Sequence, residues 1–292
     1  MDALERQWNI RAARLDYLPI GFGSHHWEAV GADGTRWFVS ADDLRAGHHA
    51  GLAPDDVFVV RSAPESSRFA AARPQEGWRR GRKYLVGYVG VMGLQDGIDY
   101  LLDAARIIIG DWQRRDIQFV LAGTGPEFAR LRERARSLGL ADQVLFTGRL
   151  SEEDLGAMLA TADVCVNPDE ANRMNDISTM NKVLEYMAFG KPMAQFDLHE
   201  GRISAGDSSL YATRNDAASL ATCIVTLIDD PAARARMGEL GRQRLLTTLS
   251  WDFQVPELLA AYKRAADKRP RIAANTRRGD DGRRPGRLRR TG

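Results

Sequence analysis

The chain has 292 residues, of which 44% are hydrophobic and 27% charged, which is typical of a soluble globular protein with one large or two small domains. Its two cysteines, Cys165 and Cys223, lie in apolar surroundings, so we expect buried packing residues rather than a disulfide or a metal pair. The net charge of +2 is uneven, because residues 263–292 carry twelve Lys/Arg and three Asp/Glu, a balance of +9 that leaves the remainder at −7. No apolar run approaches membrane-spanning length and the N-terminus has no apolar signal core. We therefore expect a cytoplasmic protein, with the membrane surface as an open alternative.

The N-terminal segment, residues 1–47, contains an Asp-Gly turn between alternating apolar residues, which predicts a β-hairpin with strands at 26–30 and 36–40. The Gly-rich run at 21–24 before it resembles the opening of an aminoglycoside-phosphotransferase-like kinase fold, in which such a loop covers ATP phosphates. No catalytic or metal-binding motif of that family follows. We therefore treat 1–47 as a segment foreign to the main domain, and 48–82 as a linker with one short strand at 57–61.

From Lys83 the pattern becomes a regular alternation of apolar strands and amphipathic helices. The predicted strands are 84–89, 117–121, 144–146, 164–166, 193–196 and 208–211. The predicted helices are 98–109, 128–138, one capped by Ser151, one following Thr179, 217–228, 231–246 and 251–266. This alternation predicts an α/β fold, a doubly wound parallel Rossmann-like domain over residues 83–266.

The remaining residues, 267–292, are rich in Arg, Gly, Pro, Asn and Asp and offer almost nothing to bury. Such a composition predicts a disordered basic tail. Because no aromatic residue lies among the arginines, the stacking part of a nucleic-acid signature is missing, and we predict no specific nucleic-acid partner.

The most informative stretch is residues 164–197, which is predicted to form a strand, a polar loop, a helix, a tight turn and a strand. Ser178 or Thr179 is suited to cap the helix, whose free N–H groups and positive dipole end suit a phosphate. Lys182 adds a mobile cation in the first turn, and Glu185, one turn further along, suits ribose hydroxyls. An ordinary capped crossover helix fits the same spacing equally well.

Four loops follow the carboxyl ends of four predicted strands. They are the first glycine loop (residues 90–97), the second glycine turn (123–126), the segment 148–150 and the organising loop (167–182). Since parallel strands point the same way, all four should open on one crevice, where open α/β sheets bind ligands.

The run STMNKVLEYMAFGKP resembles the donor-site signature of retaining GT-B glycosyltransferases of the glycogen-synthase-like group, and the resemblance extends from about residue 54 to about 266. It implies that the main domain is the C-terminal, donor-binding half of a GT-B fold. It also implies roles for individual positions: Glu185 at the ribose hydroxyls and backbone groups of Arg149 and Leu150 at the base. The remaining donor-binding residues that it implies are Gly93, Gly123 and Gly125 in the glycine turns and Ser178, Thr179, Met180, Asn181 and Lys182 at the diphosphate.

The sequence departs from the family pattern in three ways. Many members carry Arg and Lys around the first glycine turn, where this chain has Val91 and Asp96. Charge neutralisation would then fall to the helix N-terminus, Lys182, and Arg173 or Arg202. The usual glutamate eight positions before Glu185 is replaced by Ile177, with Asp176 the nearest acid. The third departure is that the family's N-terminal acceptor domain has no counterpart in residues 1–47.

We therefore expect the donor-binding half of a glycosyltransferase, whose full-length relative moves a sugar from a nucleotide sugar to an acceptor, with retention and without a metal or other cofactor. The acceptor is unassigned, with a glycan or lipid-linked glycan as candidates, and peripheral membrane association stays open. No residue is assigned a catalytic role. The alternatives are a catalytically inactive nucleotide-binding module left by truncation or fusion, and a GT-B-type sugar-nucleotide epimerase.

Overall fold

The protein is described here from a computed structural model, which describes residues 58–63 and 72–268 together with three N-terminal strands. These strands, β1 (Ala12–Leu18), β2 (His25–Gly31) and β3 (Arg36–Ala41), form an antiparallel sheet in that order. The β2–β3 pair confirms the predicted hairpin, with Trp27 opposite Val39. Strand β1 was not predicted. The Gly-rich run at 21–24 and the Asp-Gly turn lie outside the described residues.

The main sheet has six parallel strands in the order β6-β5-β4-β7-β8-β9. They are β4 (Tyr84–Val89), β5 (Ile117–Ala122), β6 (Val144–Gly148), β7 (Val164–Asn167), β8 (Met193–Phe196) and β9 (Ser209–Ala212). Strands β5 and β6 are added in sequence on one side of β4, and β7 then pairs with β4 on its other side. The predicted doubly wound sheet is thereby confirmed, and its topological switch point lies between β4 and β7.

Eight α-helices connect and follow these strands in the described part of the chain. They are α1 (Ile98–Arg106), α2 (Phe128–Ser137), α3 (Glu152–Thr161), α4 (Asn181–Ala188), α5 (His199–Ala205), α6 (Ala217–Asp229), α7 (Pro231–Arg244) and α8 (Trp251–Lys268). Helices α1 and α7 end earlier than predicted because each passes into a π-helical turn, at Ile107–Asp111 and Leu245–Leu249. Helix α8 runs two residues into the predicted tail, and residues 269–292 lie outside the described part.

Both faces of the parallel sheet are covered, as buried parallel strands require. Side chains of β5 alternate between the two sides: Phe119 packs into the cluster that includes α1 and α6, and Val120 into the cluster that includes α3 and α4. The two sides are therefore closed by different helices, and the ligand-accessible edge is left to the loops. Within the described residues, no helix is both long enough and apolar enough to cross a membrane.

One predicted strand, at 57–61, is not found. Val57 lies outside the described residues, and residues 58–63, here called the entry segment, have no regular secondary structure. The backbone N–H of Arg61 donates to the Gln254 side chain of α8 at 2.9 Å, so this N–H group is used by a helix side chain rather than by a neighbouring strand.

Candidate functional site

The two strands at the switch point separate before they end. β4 and β7 pair only at Val86 with Val164 and at Gly87 with Cys165. Beyond this point the hydroxyl of Tyr186, from α4, accepts the Val89 N–H at 3.0 Å and donates to the Val166 carbonyl at 3.2 Å. Burial raises the pKa of Tyr186 well above its ordinary value, so the hydroxyl keeps the proton it donates. A side chain thus takes the place of the strand ladder and holds a crevice open between the loops that follow.

The predicted convergence of the four loops is confirmed. The Gly123 N–H donates to the Gly148 carbonyl at 2.8 Å. A Cβ on Gly123, whose φ is +135°, would lie 1.8 Å from the Gly90 oxygen, and a Cβ on Gly125 would lie 2.5 Å from the Met92 oxygen. Glycine is therefore required at 123 and 125 because the backbones of neighbouring loops touch there.

The first glycine loop also closes on the organising loop. A Cβ on Gly97 would lie 1.9 Å from the Pro168 oxygen. The Gln95 carbonyl accepts the Glu170 N–H at 3.0 Å and the Asn175 side-chain amide at 2.8 Å. The predicted binding residue Gly93 sits in this closed loop, with its N–H donated to Asp96 Oδ2 at 2.9 Å.

The predicted capping of α4 by Ser178 or Thr179 is wrong. The helix begins at Asn181, and its N-cap residue, Met180, makes no side-chain capping bond. The Ser178 hydroxyl donates to the Met174 carbonyl at 2.7 Å, and the Thr179 hydroxyl donates to Glu200 Oε1 at 3.0 Å. The N–H groups at the start of this helix therefore have no side-chain cap, and in the first turn the Val183 N–H donates to the Met180 carbonyl at 3.0 Å.

Lys182 is not the mobile cation that we predicted. Its side chain is 9% exposed, and its Nζ lies 2.6 Å from Asp169 Oδ1 and 3.5 Å from Asp96 Oδ1. It also lies 5.2 Å from the centroid of the Tyr88 ring. Burial lowers the pKa of Lys182, but the two carboxylates outweigh it and raise the pKa overall, so the ammonium stays charged. The sequence signal that we missed for this pairing is Asp169, an acid just after a buried strand. The Asp169 side chain is only 1% exposed.

Two acids near the organising loop, Asp176 and Asp197, are paired with arginines, whereas Arg173 of the loop itself is exposed. Asp176, considered as a substitute for the missing glutamate, accepts the Arg214 guanidinium at 2.8 Å and the His199 N–H at 2.9 Å. Arg202 forms a two-pronged ion pair with Asp197. Both acids are thus engaged by arginines from the elements that follow α4, which the sequence analysis did not foresee.

Glu185 borders a cavity of about 490 Å³. The other walls are residues 72–75, the first two turns of α3, and Phe189, which directly follows α4. The Gln75 N–H donates to the Thr161 hydroxyl at 2.8 Å, which anchors the 72–75 wall on α3. This wall was missed because the segment shows no periodicity.

The cavity runs along the helix that follows the predicted base-binding residues. Arg149 is exposed and Leu150 half-buried, and both directly precede Ser151, whose hydroxyl accepts the Asp154 N–H at 3.1 Å and caps α3 as predicted. In the described part of the chain, no group of three or more His, Cys, Asp or Glu side chains stands close enough to hold a metal ion.

Comparison with known proteins identifies relatives of this architecture. The family model described as "Glycosyl transferases group 1" matches residues 83–230, just over half of the chain. Alpha-D-kanosaminyltransferase of Streptomyces kanamyceticus is 29% identical over 157 residues, which are 53% of this chain and 39% of the relative. Glycogen synthase of Mycobacterium tuberculosis is 30% identical over 210 residues, which are 69% of this chain and 46% of the relative. The chain thus spans about half the length of the curated relatives it matches, or less.

Solved structures share the fold. HepE of Anabaena in complex with UDP-glucose aligns with a TM-score of 0.60 at 16% identity, covering 75% of this chain and 59% of that one. Sucrose-phosphate synthase of Thermosynechococcus elongatus aligns with a TM-score of 0.57 at 22% identity, covering 71% and 52%. The C-terminal domain of LpcC, a glycosyl transferase group 1 family protein of Francisella tularensis, is covered completely by 65% of this chain, with a TM-score of 0.52 at 17% identity.

Proposed function

The chain belongs to the glycosyl transferases group 1 family, and from this membership we propose that it is the donor-binding half of a nucleotide-sugar-dependent glycosyltransferase. In this proposal the domain holds the nucleotide sugar while its sugar is transferred, with retention, to an acceptor held by a second domain. The complete coverage of a C-terminal domain from a solved relative supports the assignment as a C-terminal half. The acceptor, a glycan or a lipid-linked glycan, would be selected by the second domain.

One observation carries the proposal: the uncapped N-terminus of α4 lies at the switch-point crevice, and Glu185, one turn further along, borders a cavity. At about 490 Å³ this cavity falls within the range of small-molecule pockets. The N–H groups at Asn181 and Lys182, which no side chain caps, suit the diphosphate, because a helix N-terminus points N–H hydrogens and a positive dipole end at an anion. The Glu185 carboxylate suits the ribose hydroxyls as an acceptor of two O–H bonds.

The glycine turns complete the proposed donor site. Because Gly123 and Gly125 bring three loop backbones into contact, nothing larger than hydrogen projects from these positions into the crevice. We propose that the base lies along the segment at Arg149 and Leu150, where backbone groups would read it. The side chains of this segment then matter less than its position at the start of α3.

The proposal is tested by calorimetric titration of the full chain with UDP, GDP and ADP. One nucleotide should bind, and Glu185→Gln should bind it at least about tenfold more weakly, since a hydrogen bond to a charged group contributes about 1.5–3 kcal/mol. The matched control is Glu133→Gln, on the exposed surface of α2, which should bind like the wild type. Equal affinity of Glu185→Gln and wild type would refute the assigned role of Glu185.

A nucleotide-binding module without transfer activity is the second candidate, favoured by the internal neutralisation of Lys182 by Asp169 and Asp96. It predicts nucleotide binding without sugar release from UDP-, GDP- or ADP-sugars, even when candidate acceptor domains are added. Transfer of sugar by the purified chain with no partner would contradict both this candidate and the assignment as half an enzyme.

A further inference from the structure

Glu200, on α5, is a buried carboxylate at the centre of a hydrogen-bond network. It is 4% exposed, and its Oε1 accepts the Thr179 hydroxyl at 3.0 Å and the Ser204 hydroxyl at 3.1 Å. The same oxygen forms an ion pair with the guanidinium of Arg61. Three donors from three parts of the chain therefore converge on one carboxylate oxygen, which fixes their relative positions.

Arg61 brings the entry segment into this network. Its side chain is 8% exposed, and its Nη2 also donates to the Ser204 hydroxyl at 3.4 Å. Its backbone N–H donates to Gln254 of α8 at 2.9 Å. The segment by which the chain enters the domain and the helix with which the described chain ends are thus held at the same point.

Thr179 connects the network to the proposed donor site. It is the residue before Met180, the N-cap of α4. A fixed Thr179 hydroxyl therefore restrains the backbone that leads into the first turn of α4. Because a buried carboxylate needs its donors, the Thr179 hydroxyl is held on Glu200 and not on the helix.

We infer that Glu200 is a positioning residue for the donor site, which holds the α4 N-terminus through Thr179 and couples it to the entry segment through Arg61. The inference rests on the proposed function, because it assigns the network a role in donor binding. Since both segments share one carboxylate, nucleotide binding at α4 and the attachment of the entry segment are thermodynamically linked, and each strengthens the other.

The test uses Thr179, because removing Glu200 would take its carboxylate away from the buried Arg61 charge and endanger folding. Thr179→Val keeps the side-chain shape and removes the hydroxyl, whereas Thr179→Ser keeps the hydroxyl. Two quantities are measured on the full chain: hydrogen exchange of the Arg61 amide without nucleotide, and the affinity for the nucleotide that the wild type binds, among UDP, GDP and ADP. The matched control is Thr222→Val on α6, an exposed threonine whose hydroxyl donates to the Ala218 carbonyl at 3.0 Å.

Thr179→Val should accelerate exchange of the Arg61 amide at least about fivefold and weaken nucleotide binding by about tenfold, the loss of one hydrogen bond to a charged group. Thr179→Ser should restore both quantities to within about twofold of the wild type, and Thr222→Val should change neither. Weaker binding with unchanged Arg61 exchange would make Thr179 a direct ligand and overturn the inference. So would a Thr179→Ser variant that behaves like Thr179→Val.

The two proposals fail in different ways. If the wild type binds none of the three nucleotides, the proposed function fails, and the Arg61 exchange rates alone decide the coupling. Faster exchange in Thr179→Val would then show a structural link between the α4 N-terminus and the entry segment, but this link would have no role in donor binding.

Discussion

Replacement of Lys182 by methionine isolates the buried ion pair at the crevice. Methionine keeps the apolar stem but removes the ammonium, which leaves Asp169 charged at 1% exposure with one oxygen already lacking a hydrogen-bond partner. Removal of one partner from a buried pair costs about 3–5 kcal/mol, because the remaining charge is uncompensated. With a urea slope of about 2–3 kcal/mol/M for a domain of this size, the unfolding midpoint should fall by roughly 1–2.5 M.

The loss of stability in Lys182→Met should depend on pH, and the titration of Asp169 determines whether it grows or shrinks as pH rises. Burial raises the pKa of Asp169 in the folded protein, against the opposing effect of Lys182. Without Lys182 that pKa rises further. A carboxyl whose folded pKa is raised contributes stability that is fully present below its unfolded pKa and is lost as pH rises through its folded pKa. The Lys182→Met variant should therefore approach wild-type stability near pH 4 and lose most stability near pH 8.

Urea unfolding followed by circular dichroism measures both effects. Lys83→Met, at an exposed lysine before β4, is the control and should change stability by less than about 0.5 kcal/mol. The double variant Lys182→Met/Asp169→Asn, which removes both charges, should recover at least about 1 kcal/mol relative to Lys182→Met. A Lys182→Met midpoint within error of the wild type, together with lost nucleotide binding, would refute this reasoning and return Lys182 to the diphosphate.

Three further outcomes follow from contacts at the same edge of the sheet. Tyr186→Phe should lose about 1–3 kcal/mol in urea unfolding, because the partly buried Val89 N–H of β4 and the buried Val166 carbonyl of β7 lose their hydroxyl partner. No loss would mean that water replaces the hydroxyl. Gly123→Ala should destabilise the chain strongly, because its Cβ would overlap a backbone oxygen, whereas Gly110→Ala, with no atom within 4 Å of the new Cβ, should not. Burial raises the pKa of the Cys165 thiol to about 12, so this thiol should react with iodoacetamide only after unfolding, and rapid labelling of the native chain would contradict that.

The alternation of strands and helices was predictable because local signals and packing agree in this chain. Ser151 caps α3 as its sequence pattern indicates, and Pro231 occupies the first turn of α7. Gly190, with φ +60°, follows the end of α4 where the sequence places it. Each of these signals acts over a few residues, so a single sequence carries it in full.

The polar contacts of the site were not predictable for the opposite reason. Thr179 has the side chain of a helix cap, but Glu200, 21 residues further along the chain, offers its hydroxyl a buried carboxylate. Lys182 has the position of an exposed first-turn cation, but Asp169, 13 residues earlier, draws it inward. Both outcomes depend on which acids the fold buries beside the helix, and this is a property of tertiary packing that local propensity does not contain.

The charges at the crevice determine where donor affinity can come from. The cations Lys182, Arg202 and Arg214 all pair with carboxylates of the same domain, at Asp169, Asp197 and Asp176. A diphosphate that approached these cations would compete with an acid already in place, so they add little attraction. The backbone N–H groups at the start of α4 have no side-chain cap, and their dipole is fixed by the helix. If the proposed function holds, donor binding should therefore draw on backbone groups, on the exposed Arg173 and on the nucleoside at Glu185, and little on the three paired cations.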